Sequence, residues 1–293
     1  MELININEIN LENKPIEKEK EIDFNSLHDS YLVDLAEEVP PQPTAISIGE
    51  HEFNGNYYPT TVCSYGDFSC IVGESKAKKS FLKSLFVARY IGGFSREYAP
   101  DINGHDAFDK YVIDIDTEQG KYHSQKTFRR VGYMEKTNSQ YYKPFRLRPL
   151  SPNERLRFID WIFNESPYKN NIGLVIIDGV ADLIHDINNI EESTMVVQKL
   201  MTWSEKSNCH IITVLHLNPG SDKPKGHLGT FVMQKAEIII RVKREDKSRS
   251  SVTADYARNY AFDAFEFEIV NGLPHYLGQF EKIPDHVLGT PNF

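Results

Sequence analysis

Five short apolar runs alternate with stretches of helical periodicity, and this alternation limits the chain to few folds. The runs are Phe68 to Val72, Tyr111 to Ile115, Leu174 to Ile177, Ile211 to Leu215 and Ile238 to Val242. Runs this continuous in Val, Ile and Leu are typical of strands buried on both faces. Helical segments fall between them, from about Lys79 to Tyr90, Gly120 to Asn138, Ser151 to Asn164 and Glu191 to Ser207. The third opens on Ser151-Pro152-Asn153-Glu154, with Ser as N-cap, Pro at the first helical position and Glu two further on. A short strand is predicted at Phe145 to Leu147. Strands alternating with helices predict an α/β protein, a mainly parallel twisted sheet flanked by helices. Ser251 to Asp255 and Phe265 to Val270 alternate without a helix between them, which predicts a C-terminal antiparallel extension.

Charge divides the chain. The formal net charge of −9 would argue against a nucleic-acid partner if it were spread evenly. Residues 1–45 hold 11 acids and 3 lysines, leaving 31 acids against 30 cations in the rest. Two blocks of that remainder are basic: 120–160, with 10 Lys and Arg against 3 acids, and 223–249, with 8 against 3. Residues 1–25 read as a disordered or weakly helical tail, and 26–38 as a short amphipathic helix. Val39-Pro40-Pro41-Gln42-Pro43-Thr44 is a stiff linker. The predicted division is therefore an acidic tail with linker over 1–43 and one domain over 44–293. No run reaches the roughly 18–20 apolar residues of a membrane span. The first residues lack a basic segment followed by an apolar one, so no signal peptide is expected. Three cysteines without a C-x-x-C pair argue against a disulfide framework or zinc site and for a reducing, cytoplasmic setting.

Between the first apolar run and the first helix stands Gly73-Glu74-Ser75-Lys76-Ala77-Lys78-Lys79-Ser80. A strand–loop–helix context is what a G-x-x-x-x-G-K-[ST] phosphate loop requires. Such a loop wraps backbone N–H groups around phosphates at a helix N-terminus. Lys79 would reach the β- and γ-phosphates of ATP, and the Ser80 hydroxyl would bind Mg²⁺. Lys78 stands where the pattern has glycine, which restricts the backbone and adds charge beside Lys76 and Lys79. A lysine-rich surface turn is the plain alternative.

The expected companions of such a loop are present. Asp178 ends Leu174-Val175-Ile176-Ile177, where a Mg²⁺-holding carboxylate is needed, although a strand-end Asp can simply cap a turn. Asp114, Asp116 and Glu118 fall on one face of the preceding strand, opposite Ile113 and Ile115. Glu118, at the tip, is the candidate base; a solvated acidic loop is the alternative. His216 ends the next strand, where it could sense the γ-phosphate or be an ordinary polar residue. The Gly/Pro/Lys-rich stretch from Gly220 to Gly229, with Lys223, Lys225, Gly226 and His227, reads equally as a nucleic-acid-facing loop or a mobile surface loop. Lys243 and Arg244 end another strand, where they could reach a neighbouring subunit's nucleotide or merely face solvent.

Taken in order, the motifs GESKAKKS, DTEQ, LVIIDGVADLI, VLHLNPG and GHLGTFVMQKAEIIIRV resemble the RecA-like P-loop ATPases. Within them, they resemble the RepA-like replicative helicase group found among mobile-element ATPases. The resemblance covers about residues 44–275. It implies nucleotide bound at subunit interfaces of a homo-oligomeric ring, such as a hexamer, or of a filament. It also implies Glu118 as the water-activating residue, Asp178 as the metal-holding acid and His216 as the sensor. Lys243 and Arg244 fall near the trans-acting cations, and 220–229 where the family contacts single-stranded DNA. Lys78 is a departure that bears on hydrolysis more than on fold. Three functions follow. The leading one is a DNA-acting, helicase-like ATPase. A nucleotide-binding interaction or regulatory protein with little hydrolysis comes next. A small-molecule phosphotransferase ranks last, for lack of a lid or acceptor site.

Overall fold

The computed structural model describes residues 22–279 apart from Asn138, Pro219 and Asp222. Most of the predicted tail therefore lies outside the described residues. Those residues fall into two compact units, meeting between Pro41 and Gln42. The first holds one helix, α1 (Phe24–Tyr31), with no buried side chain. The Asp23 carboxylate caps it, accepting from the N–H groups of Asn25 and Ser26. Periodicity predicts a helix reaching residue 38, but the helix stops at Tyr31. Just beyond, the Asp34 carboxylate accepts from Ala36 N, a local turn that competes with helix.

The second unit begins with a hairpin that the sequence reading does not contain. Strands β1 (Thr44–Phe53) and β2 (Asn56–Ser64) join through Asn54-Gly55, both with positive φ (52° and 77°). An Asn-Gly pair in that conformation is the strongest short hairpin signal, and it stands in the sequence. Next come β3 (Phe68–Gly73) and α2 (Lys79–Ile91). The short β4 (Ile102–Gly104) pairs with β1, giving a three-stranded sheet in the order β2-β1-β4.

The chain continues through β5 (Tyr111–Asp116), α3 (Lys121–Glu135), β6 (Tyr142–Arg146), α4 (Pro152–Asn164) and β7 (Ile172–Asp178). Then follow α5 (Ile190–Ser207), β8 (His210–His216), α6 (Gly226–Lys235) and β9 (Ile238–Arg244). Strands β10 (Arg249–Ala257), β11 (Phe265–Val270) and β12 (Leu273–Gln279) complete it. They build a nine-stranded sheet, ordered β12-β11-β10-β9-β3-β8-β7-β5-β6. From β9 to β6 every pair is parallel, and from β9 to β12 every pair is antiparallel. The α/β class and the antiparallel extension are as the sequence predicts.

Two apolar cores sandwich the sheet. On one face, α2, α3 and the small sheet bury Ile46, Leu85, Phe86, Val131 and Met134. On the other, α4, α5 and α6 bury Ile159, Val196, Leu200, Leu228 and Val232. The Ser151 start is a full capping box, with Ser151 and Glu154 bonded reciprocally. Strand β6 begins three residues and ends one residue earlier than predicted; as the sheet edge it tolerates Pro144 and polar neighbours. Helix α6 replaces the second half of a predicted loop. Its two glycines weaken the helical signal, and burial of Leu228 and Val232 overrides it. Among the described residues no helix is long and apolar enough to cross a membrane.

Candidate nucleotide site

The candidate phosphate loop links the C-terminal end of β3 to the first turn of α2, and a helix N-terminus of this kind can take an anion. Gly73 is required by crowding: a Cβ there would stand 2.4 Å from the Val242 carbonyl oxygen. Lys78, at the position that usually carries glycine, takes the left-handed conformation glycine would take (φ 71°, ψ 27°). That costs a lysine of order 1 kcal/mol. Its side chain offsets the cost by spanning to the β9–β10 turn. The Nζ donates to Arg249 O (2.9 Å), Asp246 O (3.3 Å) and Ser250 Oγ (3.3 Å). Ser250 Oγ in turn donates to Ala77 O (3.1 Å). Lys78→Ala keeps the strain and loses the bonds, so it should destabilise the domain by about 1–2 kcal/mol. Lys78→Gly relieves the strain as well and should come out nearer neutral. Urea unfolding of both variants checks this, and equal losses would contradict it.

Lys79 is buried. Its Nζ donates to Gly73 O (2.8 Å), Glu74 O (2.9 Å) and His216 Nδ1 (3.0 Å). Because Nδ1 accepts, the imidazole proton sits on Nε2, which points at Glu118 and lies 3.4 Å from both carboxylate oxygens. Lys79, His216 and Glu118 therefore form one line across the strand tips. The hydrogen bond from His216 holds the Glu118 carboxyl below its usual range, against the effect of burial. Burial pushes Lys79 down to about 8, although the Asp178 and Glu118 carboxylates pull the other way. A depressed lysine loses its charge as pH rises through that value, and phosphate needs the charge. ATP affinity should therefore fall above about pH 8, by up to about tenfold per unit, and Lys79→Arg should flatten the profile. Binding of a fluorescent ATP analogue from pH 7 to 9.5 tests this; a flat wild-type curve would contradict it.

Lys76, Lys78, Lys79, Ser80, Glu118, Asp178 and His216 line one cleft of about 370 Å³. Ser80 and Asp178 offer it a hydroxyl and a carboxylate, a donor set that suits Mg²⁺ carried in on phosphates. Among the described residues, no group of three or more His, Cys, Asp or Glu side chains makes a metal cage of its own. Gly179 follows with φ 99°, where a Cβ would meet Thr117 Oγ1 at 2.3 Å. This tight turn draws the Asp178 and Glu118 strand tips together.

Of the three carboxylates predicted to share a face, only Glu118 reaches the cleft. Asp116 is buried and accepts from Glu118 N, Gln119 N and Ser124 Oγ, which fixes the start of α3. Asp114 is fully buried beneath α2. Its partner is Lys83, a residue the sequence reading passed over. Lys83 has no exposed surface and lies 3.1 Å from Asp114 Oδ1 and 3.0 Å from Asp178 Oδ2. Burial alone would push its pKa down; the two carboxylates outweigh that and hold it above the usual range. Tyr142 OH completes the group by donating to Asp114 Oδ2 (2.8 Å). The available signal was spacing: Lys83 lies one turn beyond Lys79 in an otherwise apolar helix face.

Lys243 and Arg244 line a second cleft, of about 490 Å³, with Gly73, Glu74 and Ser75. They stand beside their own chain's phosphate loop. The segment after His216 crosses the same cleft, with Gly220 N donating to Glu74 Oε1 (2.9 Å). Leu217 and Pro224 bridge its two limbs, and Lys223 O accepts from Asn218 N. Gly226 and His227 correct the predicted loop: they open α6 rather than belonging to a loop.

No family model matches the sequence, and no curated protein does. The structure is similar to the crystal structure of the RadB recombinase, with a TM-score of 0.51 and 14% identity. The match covers 74% of this chain and 94% of that one. At such identity the likeness concerns the fold alone, and it is consistent with the RecA-like fold expected from the motifs.

Proposed function

We propose that the protein binds and hydrolyses ATP at this loop and couples the cycle to single-stranded DNA. The observation that carries the reading is the line from Lys79 through His216 to Glu118, set between the phosphate loop and Asp178. Lys79 binds the β- and γ-phosphates, exchanging its present carbonyl partners for them. Ser80 and Asp178 would hold Mg²⁺, which would supply charge neutralisation at the phosphate oxygens. Glu118, kept ionised by His216, orients the attacking water and accepts its proton. His216 loses its lysine partner when phosphate takes Lys79, so it can report nucleotide state to the 217–225 segment that follows it. Lys223 and Lys225, with Gly226 and His227 at the α6 start, face the DNA. Lys243 and Arg244 serve a neighbouring nucleotide in a homo-oligomer, such as a hexameric ring. A helicase-like or strand-handling motor of a mobile element in the cytoplasm, with the acidic 1–43 segment as an appended arm, is the finer form of this reading.

One observation favours a second reading, a nucleotide-binding regulatory protein with little turnover. Lys83 already supplies Asp178 with a cation. ATP turnover with and without single-stranded DNA separates the two. Turnover stimulated several-fold by DNA supports the motor; tight binding with negligible turnover in both conditions supports the regulator.

A further inference from the structure

The 120–160 basic block takes little part in the nucleotide site, and α3 displays much of it. Tyr122, Lys126, Arg129 and Tyr133 follow i, i+4, i+7 and i+11 spacing, so they form one stripe along the helix. Tyr122 and Tyr133 are 70% and 61% exposed, so both rings are open to a ligand. The two lie about 16 Å apart along the axis. Lys126 and Arg129 are exposed between them. The only acid in α3, Glu135, is buried. Lys136, just past the helix, pairs with Glu97, so the charge open to a ligand rests on the others. Beside the stripe runs a groove of about 400 Å³ between α3 and the sheet edge β6. Its charged lining is Lys121, Arg129 and Arg146, with Phe128 and Tyr142 as walls.

We propose that the exposed face of α3, with the groove against β6, is a track for single-stranded nucleic acid, cations on its phosphates and tyrosines beneath its bases. The inference rests on the nucleic-acid reading above and adds a surface separate from Lys223 and Lys225. Cations attract any polyanion, but aromatic rings at each end of a cationic stripe match unstacked bases. A duplex keeps its bases stacked and offers those rings no π-face. A membrane surface would ask for Leu, Phe or Trp on the exposed stripe, and the stripe has none.

The test measures binding of the full chain to labelled 20-nucleotide dT and rU strands across a salt series. Phosphatidylserine vesicles serve as the competing anionic surface. The variants are Lys126→Glu with Arg129→Glu, Tyr133→Ala alone, and Lys223→Glu with Lys225→Glu. All three sites on α3 are exposed and lie outside the nucleotide cleft, so ATP affinity should stay at the wild-type value. The expected result is a loss of strand affinity of at least about tenfold in the α3 double variant. Its log–log salt slope should be shallower by about 1.4, the loss of two phosphate contacts on a single strand. Tyr133→Ala should lose about tenfold with the slope unchanged, since stacking releases no counterions. Comparison of dT with rU tells which strand the track prefers. Wild-type strand affinity in the α3 variants, with loss confined to the Lys223 and Lys225 variant, would overturn the inference and leave the DNA reading standing. No strand binding by wild type would remove both. Loss of vesicle binding alone in the α3 variants would replace the track with a membrane surface.

Discussion

Glu118→Gln is expected to lower ATP turnover by roughly a hundred- to ten-thousandfold while leaving ATP affinity within about threefold of wild type. The amide keeps the size of the side chain and can still accept from His216 Nε2, but it cannot take a proton from water. Lys79→Ala should behave differently. It removes the ammonium that phosphates need and leaves His216 Nδ1 without its donor, so binding itself should fail. The contrast between a variant that binds without turning over and one that does not bind assigns separate roles to the two ends of the line. Steady-state turnover beside equilibrium binding of a fluorescent ATP analogue measures both. If Glu118→Gln turned over at the wild-type rate, the base would have to be sought elsewhere on the strand tips.

Lys83→Met should have the largest effect on stability. The methionine fits the volume, but it removes the one cation in direct contact with Asp114 and Asp178 among the described residues and leaves the two carboxylates together in a buried space. Removing one partner of a buried ionic group costs about 3–5 kcal/mol. For a domain of this size, that is a fall in Tm of roughly 6–20 °C. Asp114 already has its pKa raised, by burial first of all, against the pull of Lys83. Without Lys83 it should take up a proton, so the loss should shrink as pH falls through the acid range. A group whose folded pKa is raised adds stability below that pKa and loses it as pH rises. Asp114→Asn in the same chain should recover part of the Tm for the same reason. A melting curve at pH 5 and pH 8 for the single and double variants tests this. A Tm within 2 °C of wild type in Lys83→Met would show that the cluster is not held by charge.

The parallel sheet was legible because its strands are apolar on both faces and each helix between them has a period of its own. That the 73–80 loop, Asp178, Glu118 and His216 would come together was legible because each sits at a strand tip, a position that alternation and apolar runs define without tertiary knowledge. What escaped the sequence depends on contacts between distant segments. Lys83 reads as a surface lysine until β5 and β7 place Asp114 and Asp178 under it. The left-handed Lys78 is explained by carbonyls at 246 and 249, far along the chain. Helix α6 has poor intrinsic propensity and forms because Leu228 and Val232 are buried against the sheet. The β1–β2 hairpin is a different kind of omission, for Asn54-Gly55 announces it locally.

The central claim is that this loop binds ATP, and the most direct measurement is the melting temperature with and without millimolar ATP and Mg²⁺. A ligand that binds only the folded state stabilises it by about 2.7 kcal/mol at a hundred times its Kd. The account predicts a rise of several degrees in the wild type that disappears in Lys79→Ala. An unchanged wild-type melting temperature at saturating ATP would contradict it.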